Sequence, residues 1–260
     1  MSTKDLHFDV RGDQEKIAVV RLSRPRKRNA ISDGLMLGLR RLFEALPAGV
    51  RAVVLHGEGE HFCAGLDLAE LQERDAAQGL HHSRMWHAAL EQVQFGPVPV
   101  VAALHGAVVG GGLELASACH IRVADETTFY ALPEGSRGIF VGGGGSVRIP
   151  RLIGAARMAD MMLTGRVVNA AEGERIGMAQ YLVPAGQAFD KALELALRIA
   201  QNAPMTNYAL VHALPRIAEQ PADQGYFTEA MMAAIAQSAP EAKARMQDFL
   251  QGRAAKVNEG

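Results

Sequence analysis

Cysteine is nearly missing from this chain: Cys63 and Cys119 are the only two in 260 residues. Two cysteines make no disulfide framework, so the fold must rest on its core, and a reducing cytoplasm is the expected compartment. Long apolar runs are also missing, and none approaches the ~20 residues a helix needs to cross a bilayer. The opening residues, MSTKDLHFDV, lack the apolar core of a signal peptide. Neither sign of charge is in excess. Lys+Arg 27 against Asp+Glu 28 leaves a net charge of -1, which argues against nucleic acid as the main partner. What remains is ordinary: 48% hydrophobic and 21% charged, in a chain long enough for one large domain or one plus a small appendage.

The first half alternates short apolar runs with helical patterns. KIAVVRLS (16–23), RAVVLHG (51–57), VPVVAALHG (98–106) and HIRVADE (120–126) read as strands, most of them without polar alternation, as in buried sheets. From Ser32, a candidate N-cap, Leu35, Leu39, Leu42, Phe43 and Leu46 recur at helical spacing until Pro47. This is the grammar of an α/β domain with helices packed on sheets. After about residue 185 only helical patterns follow, punctuated by Pro204, Pro215, Pro221 and Pro240. The expected division is therefore a core over 1–185 and a helical region over 186–260. The helices carry apolar stripes (Leu193, Leu197, Ala200; Met231, Met232, Ile235) that need a surface to cover.

Three glycine-bearing loops hold the candidate chemistry. In HGAVVGGGLELASACH (105–120), Gly110, Gly111 and Gly112 precede a helix pattern. Glycine allows close approach to backbone N–H groups, and a helix start carries partial positive charge. Together they suit an oxygen that becomes anionic during a reaction. The same glycines would also serve a tight turn. Glu114 follows among Leu113, Leu115 and Ala116, surroundings that disfavour its charged form. Twenty positions later comes Glu134, behind Pro133 and ahead of a second glycine run at 142–145. The third loop, in GEGEHFCAGLDLAEL (57–71), passes Ala64 and Gly65 to a candidate helix start at LDLAEL. Cys63 has no evident partner there and reads as a packed thiol. His81, His82 and His87, near Trp86, read as part of an exposed helix rather than a metal site. Met85 and Trp86 are candidates for a pocket wall.

Four segments, in order, resemble the enoyl-CoA hydratase/isomerase family, the crotonase superfamily. RPRKRNAIS resembles its RP-x-x-x-NA segment, and HFCAGLDLAEL its F-x-A-G-x-D segment. HGAVVGGGLELASACHIRVA is similar to its GGG-x-E-L signature, and LPEGSRGIFVGGGGSVRIPRLIG to its PE and GG-[TS]-x-R stretch. The resemblance implies a crotonase-like α/β spiral of repeated β-β-α units, with a C-terminal helical oligomerisation region that forms homotrimers or homohexamers. It implies acyl-CoA thioester substrates, with coenzyme A as part of the substrate and no separate cofactor, metal or membrane partner. It implies an oxyanion hole from the N–H groups of Ala64 and Gly111, with Glu114 and Glu134 as the catalytic acids of a hydratase. Residues expected around the substrate are Ala64, Leu66, Asp67, Leu68, Gly110, Gly111, Phe140 and Gly142, with Arg28 as a candidate for the CoA phosphates. Hydration of a 2-enoyl thioester is the expected reaction. The alternatives are another crotonase-fold reaction (isomerisation, thioester hydrolysis, C–C cleavage) or a CoA-thioester- or RNA-binding scaffold.

Overall fold

The computed structural model describes residues 4–11, 16–70 and 72–253. They divide into two units, 1–200 and 201–260. In the first, strands and helices follow as β1 (Leu6–Arg11), β2 (Ile17–Leu22), α1 (Asp33–Glu44), β3 (Ala52–Gly57), α2 (Ala76–Gln94), β4 (Val100–Leu104), β5 (Ala107–Val109) and α3 (Gly111–Ala118). Then come β6 (Ile121–Asp125), β7 (Phe129–Ala131), α4 (Gly145–Ile153), α5 (Ala155–Thr164), β8 (Val168–Asn169), α6 (Ala170–Ile176), β9 (Tyr181–Val183) and α7 (Ala188–Ala200). Among the described residues a six-stranded sheet runs β1-β2-β3-β4-β6-β9. Every neighbouring pair is parallel except β1 with β2.

The aliphatic runs lack alternation because both faces of this sheet are covered. Val20, Val53, Leu55, Val100, Ala102 and Leu104 enter a core with Leu35, Leu39 and Phe43 of α1 and Ala89, Leu90 and Val93 of α2. Ile17, Ala52, Val54, Val101, Ala103 and Val123 face the other way, beneath Ala188, Ala192, Leu195 and Ala196 of α7. Residues 188–200, read from sequence with the helical tail, therefore lie in the first unit as the cover of one sheet face. Ser32 caps α1 as its position suggested, its Oγ accepting from the Leu35 N–H at 3.2 Å.

A second, three-stranded sheet runs β5-β7-β8. The chain passes from β4 in the large sheet to β5 in the small one, through α3, and back to β6 and then β7. An isolated bridge pairs Cys63 with Val108, and another pairs Ile31 with Leu66. The Cys63 N–H donates to the Ala107 carbonyl at 2.9 Å, and the Val109 N–H donates back to Cys63 at 3.0 Å. These bonds bring the loop after β3 alongside the loop after β5. Of LDLAEL, the described residues 66–70 form a 3-10 turn, Leu68–Glu70, instead of a helix start, and Leu71 lies outside the described residues.

The second unit is helical: α8 (Pro204–Tyr208), a π turn (Ala209–Ala213), α9 (Leu214–Ile217), α10 (Ala222–Ser238) and α11 (Pro240–Leu250). Pro204 and Pro240 open their helices, where a missing N–H costs nothing. Tyr226, Phe227, Met231, Phe249 and Leu250 are all exposed on the single chain.

Candidate active site

Gly110 turns the chain out of β5 at φ +52° and ψ −121°, a conformation that L side chains rarely adopt, and so caps α3. Its own N–H donates to the Ala131 carbonyl at 2.9 Å. Gly111 is the first residue of α3 and has no helical acceptor for its N–H.

The facing loop does not offer the Ala64 N–H expected from the sequence. The Ala64 N–H is spent on the Arg28 carbonyl at 2.9 Å. Gly65 donates to Cys63 Sγ at 3.5 Å, and Asp67 to the Ile31 carbonyl at 2.8 Å. Between them, Leu66 has no acceptor for its N–H among the described residues. A methyl group placed on Gly111 would come within 3.6 Å of the Leu66 nitrogen. Leu66 and Gly111, not Ala64 and Gly111, thus present adjacent unspent N–H groups, and both line one cavity of about 340 Å³. Such a pair can hold an oxygen on which negative charge develops.

Both glutamates line the same cavity. Glu114, in the first turn of α3, is 4% exposed. Its Oε1 accepts from the Gly143 N–H and the Gly145 N–H, each at 2.8 Å. Burial raises its pKa; those two N–H groups pull the other way, and the charge of Glu134 adds to the rise. Gly145 opens α4, so the second glycine run also delivers helix-terminal donors. Arg148 steadies this run by donating to the Gly143 carbonyl at 2.9 Å. Sequence reading placed only Gly142 of this run near the substrate and missed this grip on Glu114. The available signal was a glycine run directly ahead of a helix.

Glu134 follows Pro133 and holds a short turn, its carbonyl accepting from the Arg137 and Ile139 N–H groups at 3.0 and 3.1 Å. Its Oε2 is buried with no hydrogen-bond partner among the described residues. Burial raises its pKa too. A buried carboxyl oxygen without a partner is costly unless it is protonated or meets a ligand.

Leu68, Gly110, Phe140 and Gly142 line the cavity as expected, with Phe140 and Leu68 exposed. Asp67 does not. Its carboxylate is spent on Arg24 at 2.6 Å, Lys27 at 2.8 Å and the Ala69 N–H at 3.1 Å. Lys27 foremost, with Arg24, holds its pKa down to about 2. Asp67 is a brace for the loop that carries Leu66 and is corrected from a substrate contact to that role. The Arg28 side chain is exposed and also lies outside the cavity lining; the residue enters the site's construction through its carbonyl, at φ +49°. Cys63 is buried, which pushes its thiol up to about 12 and fits a packed group. Among the described residues no three metal-ligating side chains cluster.

Of the histidines, His82 lines the cavity and is tied to Asp33, its Nε2 lying 2.7 Å from Oδ1. Trp86 reaches the same Oδ1 with Nε1 at 3.3 Å and lies over Gly111. Met85 packs partly buried against the core.

Residues 12–259 match the family described as enoyl-CoA hydratase/isomerase. A crystal structure from Rhodopseudomonas palustris CGA009, provisionally named an enoyl-CoA hydratase, is 58% identical, with 97% of each chain covered and a TM-score of 0.93. The 2,3-dehydroadipyl-CoA hydratase of Escherichia coli is 30% identical over 92% of this chain and 94% of its own. An enoyl-CoA isomerase/hydratase of Mycosarcoma maydis is 35% identical over 71% of each chain. With the sequence match and the fold in agreement, the chain belongs to the enoyl-CoA hydratase/isomerase family.

Proposed function

We propose that this protein adds water across the 2,3-double bond of an enoyl-CoA thioester. One observation carries the reading: two buried carboxyl groups share a cavity with two adjacent unspent N–H groups. The thioester oxygen sits between the Leu66 and Gly111 N–H groups. Glu114, anchored through Oε1 alone, takes a proton from water as the water oxygen bonds to Cβ. The π electrons move toward the thioester oxygen, and the hole holds the resulting enolate. Glu134 then gives a proton to Cα as the carbonyl re-forms. Two carboxyl groups serve because one must accept and one must donate, and such help is worth about 10²–10⁴-fold. Coenzyme A enters as part of the substrate, with no further cofactor.

The C-terminal helices belong to the same proposal, as the contact of a homotrimer or a dimer of trimers in the cytoplasm. The exposure of Tyr226, Phe227 and Met231 supports this, since apolar groups of this size favour burial against a second surface. A monomer by light scattering at micromolar concentration would overturn it.

The unpartnered Oε2 of Glu134 favours a second reading, in which one carboxyl group shuttles a proton and shifts a double bond. Loss of enoyl-thioester absorbance separates the two, measured for wild type, Glu114→Gln, Glu134→Gln and the double variant. A hydratase loses most turnover in either single variant, and the double costs much less than the sum. Near-normal hydration by Glu114→Gln would end the preferred reading.

A further inference from the structure

The cavity carries a second feature beyond its reacting end, and α2 serves as the ruler that locates it. Trp86 marks the reacting end, because a methyl group on Gly111 or on Gly143 would lie 3.0 Å from its ring. One helical turn toward the N-terminus, about 6 Å along the axis, His82 lines the same cavity. Nearly another turn back is Gly79, where an added methyl group would meet nothing within 4 Å, so the space continues. Arg74, just ahead of the N-cap Asp75, lines this end.

Asp33 organises these groups without exhausting them. Its Oδ1 is taken by His82 at 2.7 Å and by Trp86 at 3.3 Å. Its Oδ2 lies 3.9 Å from the Arg74 guanidinium, an ion-pair distance too long for a hydrogen bond. The Arg74 side chain is only 21% exposed, yet its N–H donors find no acceptor among the described residues. Asp33 orients this guanidinium from one side and leaves the fork unspent. Leu68, Ile139 and Phe140 supply an apolar wall that suits a run of methylene groups. A covered, oriented and unspent guanidinium is built to receive a planar oxyanion through two parallel hydrogen bonds.

We propose that the acyl chain accepted by this cavity ends in a carboxylate, which Arg74 receives. The assignment rests on the enoyl-thioester reading of the site and names the class of acyl group within it.

The test uses two 2-enoyl-CoA thioesters of equal chain length, one ending in a carboxylate and one in a methyl group. Hydration gives kcat/KM for each. Their saturated counterparts bind without turnover, and Trp86, the only tryptophan, reports that binding by fluorescence. Wild type should favour the carboxylate by about ten-fold or more in both readouts, the scale of a charged hydrogen-bonded pair. Arg74→Gln should bring that ratio close to one, and Arg74→Lys should restore part of it. A wild-type preference for the methyl end would overturn the proposal. So would an Arg74→Gln loss equal for both chain ends, which would place Arg74 on the shared CoA portion. If neither thioester is hydrated while the carboxylate-ended analogue binds more tightly, the hydratase reading fails and the subsite stands. If both are hydrated without preference, the subsite fails and the hydratase reading stands.

Discussion

The glycine runs at 110–112 and 142–145 both feed helix starts, yet they use their N–H groups in opposite ways. In the first, the Gly111 N–H stays unspent beside that of Leu66. In the second, the Gly143 and Gly145 N–H groups both close on one oxygen of Glu114. The supply is the same, since every helix start leaves orphan donors. The difference is which carboxylate lies within reach. Glu114 projects from α3 into the second run and fills it, whereas Glu134 lies against Gly110 with its Oε2 unpaired. On the proposed mechanism, the first run is thus left to hold a substrate oxygen, and the second holds the carboxylate that activates water.

The sharpest way to break this contrast is to remove a donor from the first run's side. Leu66→Pro deletes the N–H while leaving the bridge to Ile31, which uses the Gly65 carbonyl and the Asp67 N–H. Turnover should fall about 10²–10³-fold, the usual cost of one oxyanion donor. A folded Leu66→Pro variant at full activity would return the role to another group.

Crowding the second run should cost less. A methyl group at Gly145 would come within 2.9 Å of both Cγ and Oε1 of Glu114. Gly145→Ala should therefore displace the carboxylate, lowering kcat by about ten-fold and stability by about 1–3 kcal/mol. Kinetics alongside urea unfolding would check both. Unchanged kcat would mean that the grip on Glu114 is not needed for catalysis.

The pH profile sharpens the contrast between the carboxyl groups themselves. Glu114 must be ionised to take a proton, and burial raises its pKa. The rate should therefore fall as pH drops through a value above the usual carboxylate range. Glu134 must be protonated to give one, and its pKa is raised as well, so the rate should fall again as pH rises past it. The two limbs belong to the coupled pair. Glu134→Gln should abolish the alkaline limb in whatever activity remains.

The smallest effect is expected from Asp67→Asn, which loosens the loop behind Leu66 at a cost of about 1–2 kcal/mol. Asp67 titrates in the folded state at about 2, below its ordinary value. Its contribution is thus present at neutral pH and lost as pH falls through that value. Urea titrations of wild type and variant should converge under strongly acidic conditions.

Much of this was legible in the sequence because it is local. The buried strands show as unbroken aliphatic runs, α1 shows by Ser32 and its apolar spacing, and both glutamates show by the glycines around them. What was not legible depends on long-range backbone pairing. Ala64 loses its donor to Arg28, thirty-six positions away, and no local pattern reveals that. β1 was missed although Leu6, Phe8 and Val10 alternate with His7, Asp9 and Arg11, the local pattern of a half-buried strand. The LDLAEL segment was read as a helix start, but Asp67 is occupied by Arg24 and Lys27 and by the Ala69 N–H. α7 was visible as a helix; that one face of the sheet needed it was not.

The central claim, that Glu114 activates water at Cβ while Leu66 and Gly111 hold the thioester oxygen, is tested most directly by tracing the oxygen. A 2-enoyl-CoA thioester incubated with the enzyme in heavy-oxygen water should yield a 3-hydroxyacyl thioester carrying one solvent oxygen at Cβ, and Glu114→Gln should all but stop its formation. A product with a shifted double bond and no solvent oxygen, formed as fast by Glu114→Gln as by wild type, would contradict the account.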